Sequence, residues 1–99
     1  MKRKNLRYCK TGNCYVKWDN DGNLILVSYA SDVVKVDKNG WMTVTGLYSN
    51  TTQRHIRAFL KEYCPMVTMD TVRKVVEMTD KTFIGMVNVR TGELSNKIS

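Results

Sequence analysis

The chain lacks several features that would place it outside the cell or in a membrane. It has one proline, no low-complexity tract and no internal repeat, so disorder is expected only at its ends. No apolar run could cross a bilayer, and no apolar stretch follows the basic N-terminus as a secretion signal requires. Three cysteines without such a signal predict thiols in a reducing compartment rather than a disulfide framework. We therefore expect a soluble cytoplasmic protein without membrane contact.

Acidic residues are scarce relative to basic ones. Sixteen lysines and arginines outnumber nine aspartates and glutamates, which gives a net charge of +7 at pH 7. This excess favours association with something acidic, either nucleic acid or the acidic face of a protein that handles it, although the same charge also serves solubility alone. The 99 residues are too few for two independent cores, so a single domain over residues 1–99 is expected.

The first half of the chain is typical of short strands joined by polar turns. Alternation of apolar and polar residues, interrupted by turns such as Lys38-Asn39-Gly40, predicts an antiparallel meander over residues 1–46. Its five predicted strands cover residues 6–10, 14–18, 24–29, 33–37 and 41–46. A predicted turn at residues 11–13 joins the first two strands into an N-terminal hairpin.

A helix start follows these strands. Asn50 is the predicted N-cap, with Gln53 as its capping-box partner, and the helix covers residues 50–63 before Pro65. At about 100° per residue the helix has two distinct faces. Its apolar face, expected to cover the sheet, consists of Ile56, Phe59, Leu60 and Tyr63. Its cationic side consists of Arg54, Arg57 and Lys61.

The rest of the sequence, from residue 64 onwards, predicts a shorter helix and further strands. Thr68 or Asp70 can cap a helix over residues 68–79. Its predicted buried stripe consists of Met69, Val72, Val75 and Val76. Residues 82–95 are strand-like around an Arg90–Glu93 turn, and residues 94–99 either add an edge strand or fray. The predicted class is α+β, a meander of about five strands packed by one main helix, with a second short helix and a C-terminal hairpin or strand.

Three thiols and the only imidazole suggest a zinc site of Cys9, Cys14, Cys64 and His55. Helix geometry argues against the full set, because nine residues place His55 and Cys64 about 13 Å apart along the axis and about 180° apart around it. Cys9 and Cys14 can face each other across a hairpin, but their five-residue offset is less diagnostic than paired Cys-x-x-Cys motifs. The prediction is reduced thiols with no metal and no cofactor, and whether Cys9 and Cys14 hold zinc with another ligand is left open.

No residue set predicts a reaction. His55 is accompanied by no nucleophile elbow and no Cys-His-Asn pattern, so a histidine that hydrogen-bonds a strand end is favoured over a general base. Asp19, Asp21 and Asn23 resemble the start of a calcium loop, but Ala30 stands where its closing glutamate should be, which favours a β-turn. A phosphate-binding glycine loop is also missing. The sequence predicts a protein that is not an enzyme.

The remaining functional signal is positive charge. Tyr8, Tyr15 and Trp18 interleave with the bases that precede Asp19, an arrangement that can hold phosphates and stack nucleobases, or that can be a solvated face above buried rings. The candidate binding residues of this N-terminal hairpin are Lys2, Arg3, Lys4, Arg7, Lys10 and Lys17. Arg54, Arg57 and Lys61 of the helix form a second candidate surface.

Residues 23–63 also resemble a known family. They contain Ser28-Tyr29, Val33-Val34 and, above all, Tyr48-Ser49-x-Thr51-Thr52-x-Arg54-His55-Ile56-x-x-Phe59-Leu60. With this motif the chain resembles a family of small proteins widespread in phages and prophages of Gram-positive bacteria. The resemblance implies a fold and a genomic setting, and it implies that Thr51, Thr52, His55 and Phe59 define the fold rather than carry chemistry.

The resemblance also implies a kind of function. Small accessory proteins of phages often bind and disarm host machinery, and type II anti-CRISPR proteins, which bind Cas9, are of this size. By that analogy we expect a non-enzymatic inhibitor in the host cytoplasm that blocks Cas9, or its complex with guide RNA, by protein contact. A basic chain would not mimic DNA, because mimics present carboxylates in place of phosphates. The alternative is a nucleic-acid-binding accessory module using the cationic hairpin. The oligomeric state is left open.

Overall fold

The computed structural model describes residues 2–9, 12–45 and 49–98, whose regular elements form one sheet and two helices. The strands cross the sheet in chain order, each antiparallel to its neighbours. They are β1 Lys2–Asn5, β2 Cys14–Trp18, β3 Leu24–Ser28, β4 Ser31–Val36, β5 Trp41–Val44, β6 Phe83–Asn88 and β7 Leu94–Ile98. The helices α1 Asn50–Tyr63 and α2 Met69–Met78 connect β5 to β6. The predicted α+β class is confirmed, and the described residues supply seven strands to the sheet.

The first strand differs from its prediction. It covers Lys2–Asn5 rather than residues 6–10, with Asn5 opposite Tyr15. Leu6 instead ends the strand by packing into the core, at 3% exposure, and the Arg7 amide donates to Glu62 of α1. The alternation of apolar and polar residues in this segment therefore reflects the burial of Leu6 in the core and the contact of Arg7 with the helix, not strand pairing. Residue 11 of the predicted turn at residues 11–13 lies outside the described residues, and so does Lys10.

The β3–β4 connection is tighter than predicted. Tyr29 and Ala30 have φ of 50° and 67°, so both central residues of this two-residue turn lie in the left-handed region, as a type I′ turn requires. Tyr29 is therefore not part of the strand, and β4 begins at Ser31. Because neither residue is glycine, the turn lacks the usual sequence signal and carries some backbone strain.

Helix α1 has the predicted span but a different cap. Ser49, not Asn50, is the N-cap, and its Oγ accepts a hydrogen bond from the Thr52 amide at 3.1 Å. This earlier cap places Thr52 at the third helical position, so the predicted capping box with Gln53 is wrong. The predicted faces are confirmed. Ile56, Phe59 and Leu60 are buried, whereas Arg54, Arg57 and Lys61 are exposed.

Helix α2 and the C-terminal strands follow their predictions closely. Thr68 caps α2 by accepting from the Thr71 amide at 3.2 Å, and Val72 and Val75 are fully buried. The C-terminal residues add the edge strand β7 rather than fraying.

Both helices cover the same face of the sheet. Cross-strand register places Val16, Leu26, Val34 and Val44 on that face, where they join one buried cluster with residues of α1 and α2. Met42 and Val87 extend this cluster to the β6 side. None of the described helices is both long and apolar enough to span a membrane.

Candidate functional site

The segment after β1 contacts the cationic side of α1. The Arg7 amide donates to Glu62 Oε1 at 2.6 Å, and Lys61 Nζ lies 4.3 Å from the centroid of the Tyr8 ring. Arg54 lines a cavity that Tyr8 also lines. The two surfaces that were predicted separately, the N-terminal segment and the helix, are therefore neighbours around Tyr8.

Strand β1 divides its own cations between the two faces of the sheet. Directly opposed residues of an antiparallel pair share a face. Lys2 lies opposite Trp18 and Lys4 opposite Val16, and both of these partners pack towards the helices. Arg3 is on the other face, where its guanidinium carbon lies 3.7 Å from the Tyr15 ring centroid.

Six of the nine predicted binding residues therefore lie on the helix side, and we call this set the basic surface. It consists of Lys2, Lys4, Arg7, Arg54, Arg57 and Lys61, all of them exposed. Arg3 and Lys17 belong to the opposite face, where Lys17 Nζ is 3.0 Å from Asp32 and its charge is locally neutralised. Lys10 lies outside the described residues.

The aromatic rings of the N-terminal hairpin are poorly placed for stacking nucleobases. Trp18 packs edge-on against Tyr63 with centroids 6.5 Å apart, and it joins the periphery of the core. Arg3 occupies one face of the Tyr15 ring. Tyr8 is 44% exposed, but Lys61 lies over its ring. The rings support the protein's own cations and core more than they form an open stacking platform.

Cys9 and Cys14 form a disulfide, with their Cα atoms 6.7 Å apart. The prediction of three thiols is therefore wrong for this pair, because the loop from β1 to β2 returns Cys9 to the start of β2. The prediction is right for Cys64, a free cysteine that is 3% exposed. Burial raises the pKa of the Cys64 thiol to about 11, so this group is an unreactive part of the core.

His55 lies beside that disulfide and contacts Ser28, the last residue of β3. Its Nδ1 is 2.7 Å from Ser28 Oγ in a buried hydrogen bond, which is the strand-end contact predicted from the sequence. Ser28 is itself opposite Cys14 in the sheet register. Candidate metal-binding atoms of Cys9, Cys14 and His55 all lie within 4.8 Å of one another, and Cys64 is not in this group.

The Ser28–His55 pair is not arranged for nucleophilic catalysis. Ser28 is 3% exposed, and no carboxylate hydrogen-bonds His55 among the described residues. Burial lowers the pKa of the imidazole and so favours the neutral ring, which does not by itself make the pair catalytic. A serine nucleophile needs access to substrate and a base oriented by a third group. The geometry fits a positioned histidine rather than a catalytic dyad.

A cavity of about 200 Å³ opens next to this histidine. Its lining includes Tyr8, Cys9, Tyr29, Arg54 and His55. The Tyr29 ring lies 5.5 Å from the imidazole, centroid to centroid. The sequence alone did not place Ser28 and Tyr29 at this site. Strand register brings Ser28 to His55 and the left-handed turn brings Tyr29 there, and the neighbouring residues in the chain indicate neither contact.

The acidic residues at the end of β2 form a turn, not a calcium loop. The Asp19 carboxylate accepts from the Asp21 and Asn23 amides and from Asn23 Nδ2 at 2.8–3.0 Å. The side-chain and backbone hydrogen bonds from Asn23 lower the pKa of Asp19. Because both carboxylate oxygens accept hydrogen bonds from within the turn, the predicted β-turn explains the residues without a metal.

The observed architecture defines a class: small α+β domains with an antiparallel sheet covered on one face by two helices. The chain belongs to a family of unknown function, DUF8033, whose model matches residues 1–76. That match includes the basic surface and the Cys9, Cys14 and His55 cluster, and it ends within α2. Comparisons with curated proteins and with solved structures gave no significant match.

Proposed function

We propose that this protein is a non-enzymatic binding module that uses the basic surface to contact an acidic face of a macromolecular partner. The observation that carries the proposal is the clustering of six exposed cations from β1, the following segment and α1 on one side of the sheet. Clustered charge of one sign steers association with an oppositely charged partner.

We propose a protein or protein–RNA partner rather than single-stranded nucleic acid. Supporting this choice, the Tyr8 and Tyr15 rings are in contact with the chain's own cations and Trp18 packs against Tyr63. Sequence-tolerant binding of single strands relies on exposed rings on which bases stack. A charged surface without such rings fits an acidic protein face or a phosphate backbone.

The specific partner that we propose is a host Cas9, alone or with its guide RNA. This proposal rests on the resemblance to small phage and prophage proteins and on the analogy with inhibitors of this size. The protein would act in the cytoplasm of the bacterial host by occupying a surface needed for loading target DNA. Its charge suits an acidic Cas9 face or exposed guide-RNA phosphates, and it does not suit mimicry of DNA.

The proposal is tested with a triple charge reversal on α1, Arg54→Glu, Arg57→Glu and Lys61→Glu. The wild-type protein should co-elute with Cas9 and inhibit cleavage of target DNA, and the triple variant should lose about tenfold or more in affinity, because each position replaces attraction by repulsion. The matched control reverses Lys38, Lys74 and Lys97, which are exposed elsewhere and give the same net charge.

Two results would contradict these proposals separately. Equal loss in the control variant would mean that total charge, not the basic surface, governs binding. Absence of both a complex and inhibition would remove Cas9 of the tested type as the partner, while the binding-module proposal would then be tested on nucleic acid.

The second candidate is a module that binds the phosphates of nucleic acid through the same surface. It is favoured by the guanidinium and ammonium groups grouped along β1 and α1. A salt titration separates this candidate from binding to a protein face of Cas9, because phosphate contacts release counterions and their affinity falls steeply with salt. A protein interface with a desolvated centre loses less affinity over the same range.

A further inference from the structure

Three elements of the fold bring soft metal ligands together. Cys9 comes from the segment after β1, Cys14 is the first residue of β2, and His55 is in the second turn of α1. Candidate ligand atoms of all three lie within 4.8 Å of one another. Ligands of a tetrahedral zinc ion are separated by about 3.5–3.8 Å, given Zn–S and Zn–N bonds of about 2.3 and 2.0 Å. The two sulfurs, which are bonded to each other in this structure, would separate to this spacing after reduction, and the His55 imidazole is already close to it.

We propose that Cys9, Cys14 and His55 form a zinc-binding site when the Cys9–Cys14 disulfide is reduced. Two thiolates and one imidazole are a ligand set that zinc prefers, and they are drawn from three separate parts of the chain. The site is thus distinct from the four-residue set that the sequence suggests, because Cys64 lies near the far end of α1 and outside the cluster.

The surroundings of His55 fit a metal ligand. Ser28 Oγ is 2.7 Å from Nδ1 and both side chains are buried, so a hydrogen bond at one ring nitrogen orients the imidazole and leaves the other for a metal. Such orienting partners are a regular feature of metal-binding histidines. The Tyr29 ring beside the imidazole further restricts its rotation.

The fourth position is open to an exchangeable ligand. Among the described residues the cluster holds three side chains, and a cavity of about 200 Å³ is lined by Cys9 and His55. Three protein ligands with an accessible fourth position are typical of zinc sites that bind water or a small ligand. Arg54 also lines this cavity, so a small anion is the class of ligand that the site would accept besides water.

The disulfide and the zinc site exclude each other chemically. Two thiol molecules reduce the disulfide, which yields the Cys9 and Cys14 thiols and one disulfide of the reductant. Zinc then displaces the two thiol protons and binds the thiolates. Oxidation by a disulfide reverses this balance and releases the ion. The site is therefore occupied only under reducing conditions, such as those of a bacterial cytoplasm.

The test uses untagged full-length protein in two states, oxidised or reduced with a thiol that is then removed without oxygen. We expect the reduced protein to bind one Zn²⁺ in native mass spectrometry, and Co²⁺ to give the absorption bands of a tetrahedral thiolate site. We expect Cys9→Ser and His55→Gln to weaken Zn²⁺ binding at least tenfold. Cys64→Ala is the matched control and should bind like the wild type. Circular dichroism checks that each variant is folded.

Because Cys9 is only partly buried, Cys9→Ser keeps the test valid if His55→Gln fails to fold. Three results would overturn the proposal: no stoichiometric zinc on the folded reduced protein, equal binding to the oxidised protein, or binding that survives Cys9→Ser. None of these results depends on the identity of the macromolecular partner.

Discussion

At Asp19, a single carboxylate organises the turn between β2 and β3. It accepts hydrogen bonds from two amides and one side-chain amide of the residues that follow it. These donors favour the ionised carboxylate, so the pKa of Asp19 in the folded protein lies below its ordinary value of 3.8. The stabilisation is therefore complete above about pH 4 and is lost as the pH falls through the folded-state pKa.

We predict that Asp19→Asn lowers stability at pH 7 and that its difference from the wild type narrows near pH 3. An asparagine side chain has one acceptor oxygen and cannot serve all three donors. Urea unfolding midpoints at the two pH values measure this. Asp21→Asn is the control, because Asp21 contributes its backbone amide to the turn. A difference that is the same at both pH values would contradict the role of the charge.

At the scale of elements, α2 packs closely against β6 at Gly85, a residue without a side chain. A Cβ on Gly85 would lie 2.5 Å from the Val75 carbonyl oxygen and 2.7 Å from Met78 Cβ. The first of these neighbours is helix backbone, which cannot rotate away. Gly85 therefore sets how closely α2 approaches the sheet, and Val75 and Val87 become fully buried as a result.

We predict that Gly85→Ala destabilises the protein by about 1–3 kcal/mol, the usual cost of overpacking a core. Chemical denaturation measures the change in unfolding free energy. Gly12→Ala is the matched control, because a Cβ there meets nothing within 4 Å, and it should change stability by less than about 0.5 kcal/mol. If Gly85→Ala changed the unfolding free energy as little as Gly12→Ala, α2 would be able to shift away from the added methyl group without cost.

At the scale of the whole molecule, the last two strands of the chain, β6 and β7, contribute unequally to the core. The β7 residues are mostly exposed and pair only with β6. By contrast, β6 pairs with β5, carries the buried Val87 and receives α2. The region matched by the family ends before either strand.

We predict that a chain ending after Glu93 folds with reduced stability, whereas a chain ending after Met78 does not fold cooperatively. Removing β7 costs backbone hydrogen bonds at an exposed edge, but removing β6 uncovers the apolar side of α2 and β5. Near-ultraviolet circular dichroism during thermal unfolding distinguishes the two. A cooperative transition in the shorter chain would show that the family-matched region is stable alone.

Short-range physical chemistry explains which features could be read from the residues alone. The span and faces of α1, the bounds of β2 and the Thr68 cap depend on caps, periodicity and turns within a few residues. Such patterns also indicated the α+β class. They misplaced the first strand, because Leu6 and Arg7 alternate for reasons of packing rather than of strand pairing.

The site depended on pairing between distant residues, which no local pattern encodes. Register assigns Lys2 and Lys4 to the helix side and Arg3 to the other, and a shift by one residue would exchange them. The same long-range pairing sets Cys14 beside Ser28, and α1 then brings His55 to them and excludes Cys64. Local chemistry thus specified the elements, whereas the tertiary arrangement decided which charges form one surface and which ligands meet, because side chains remote in the chain become neighbours only through packing.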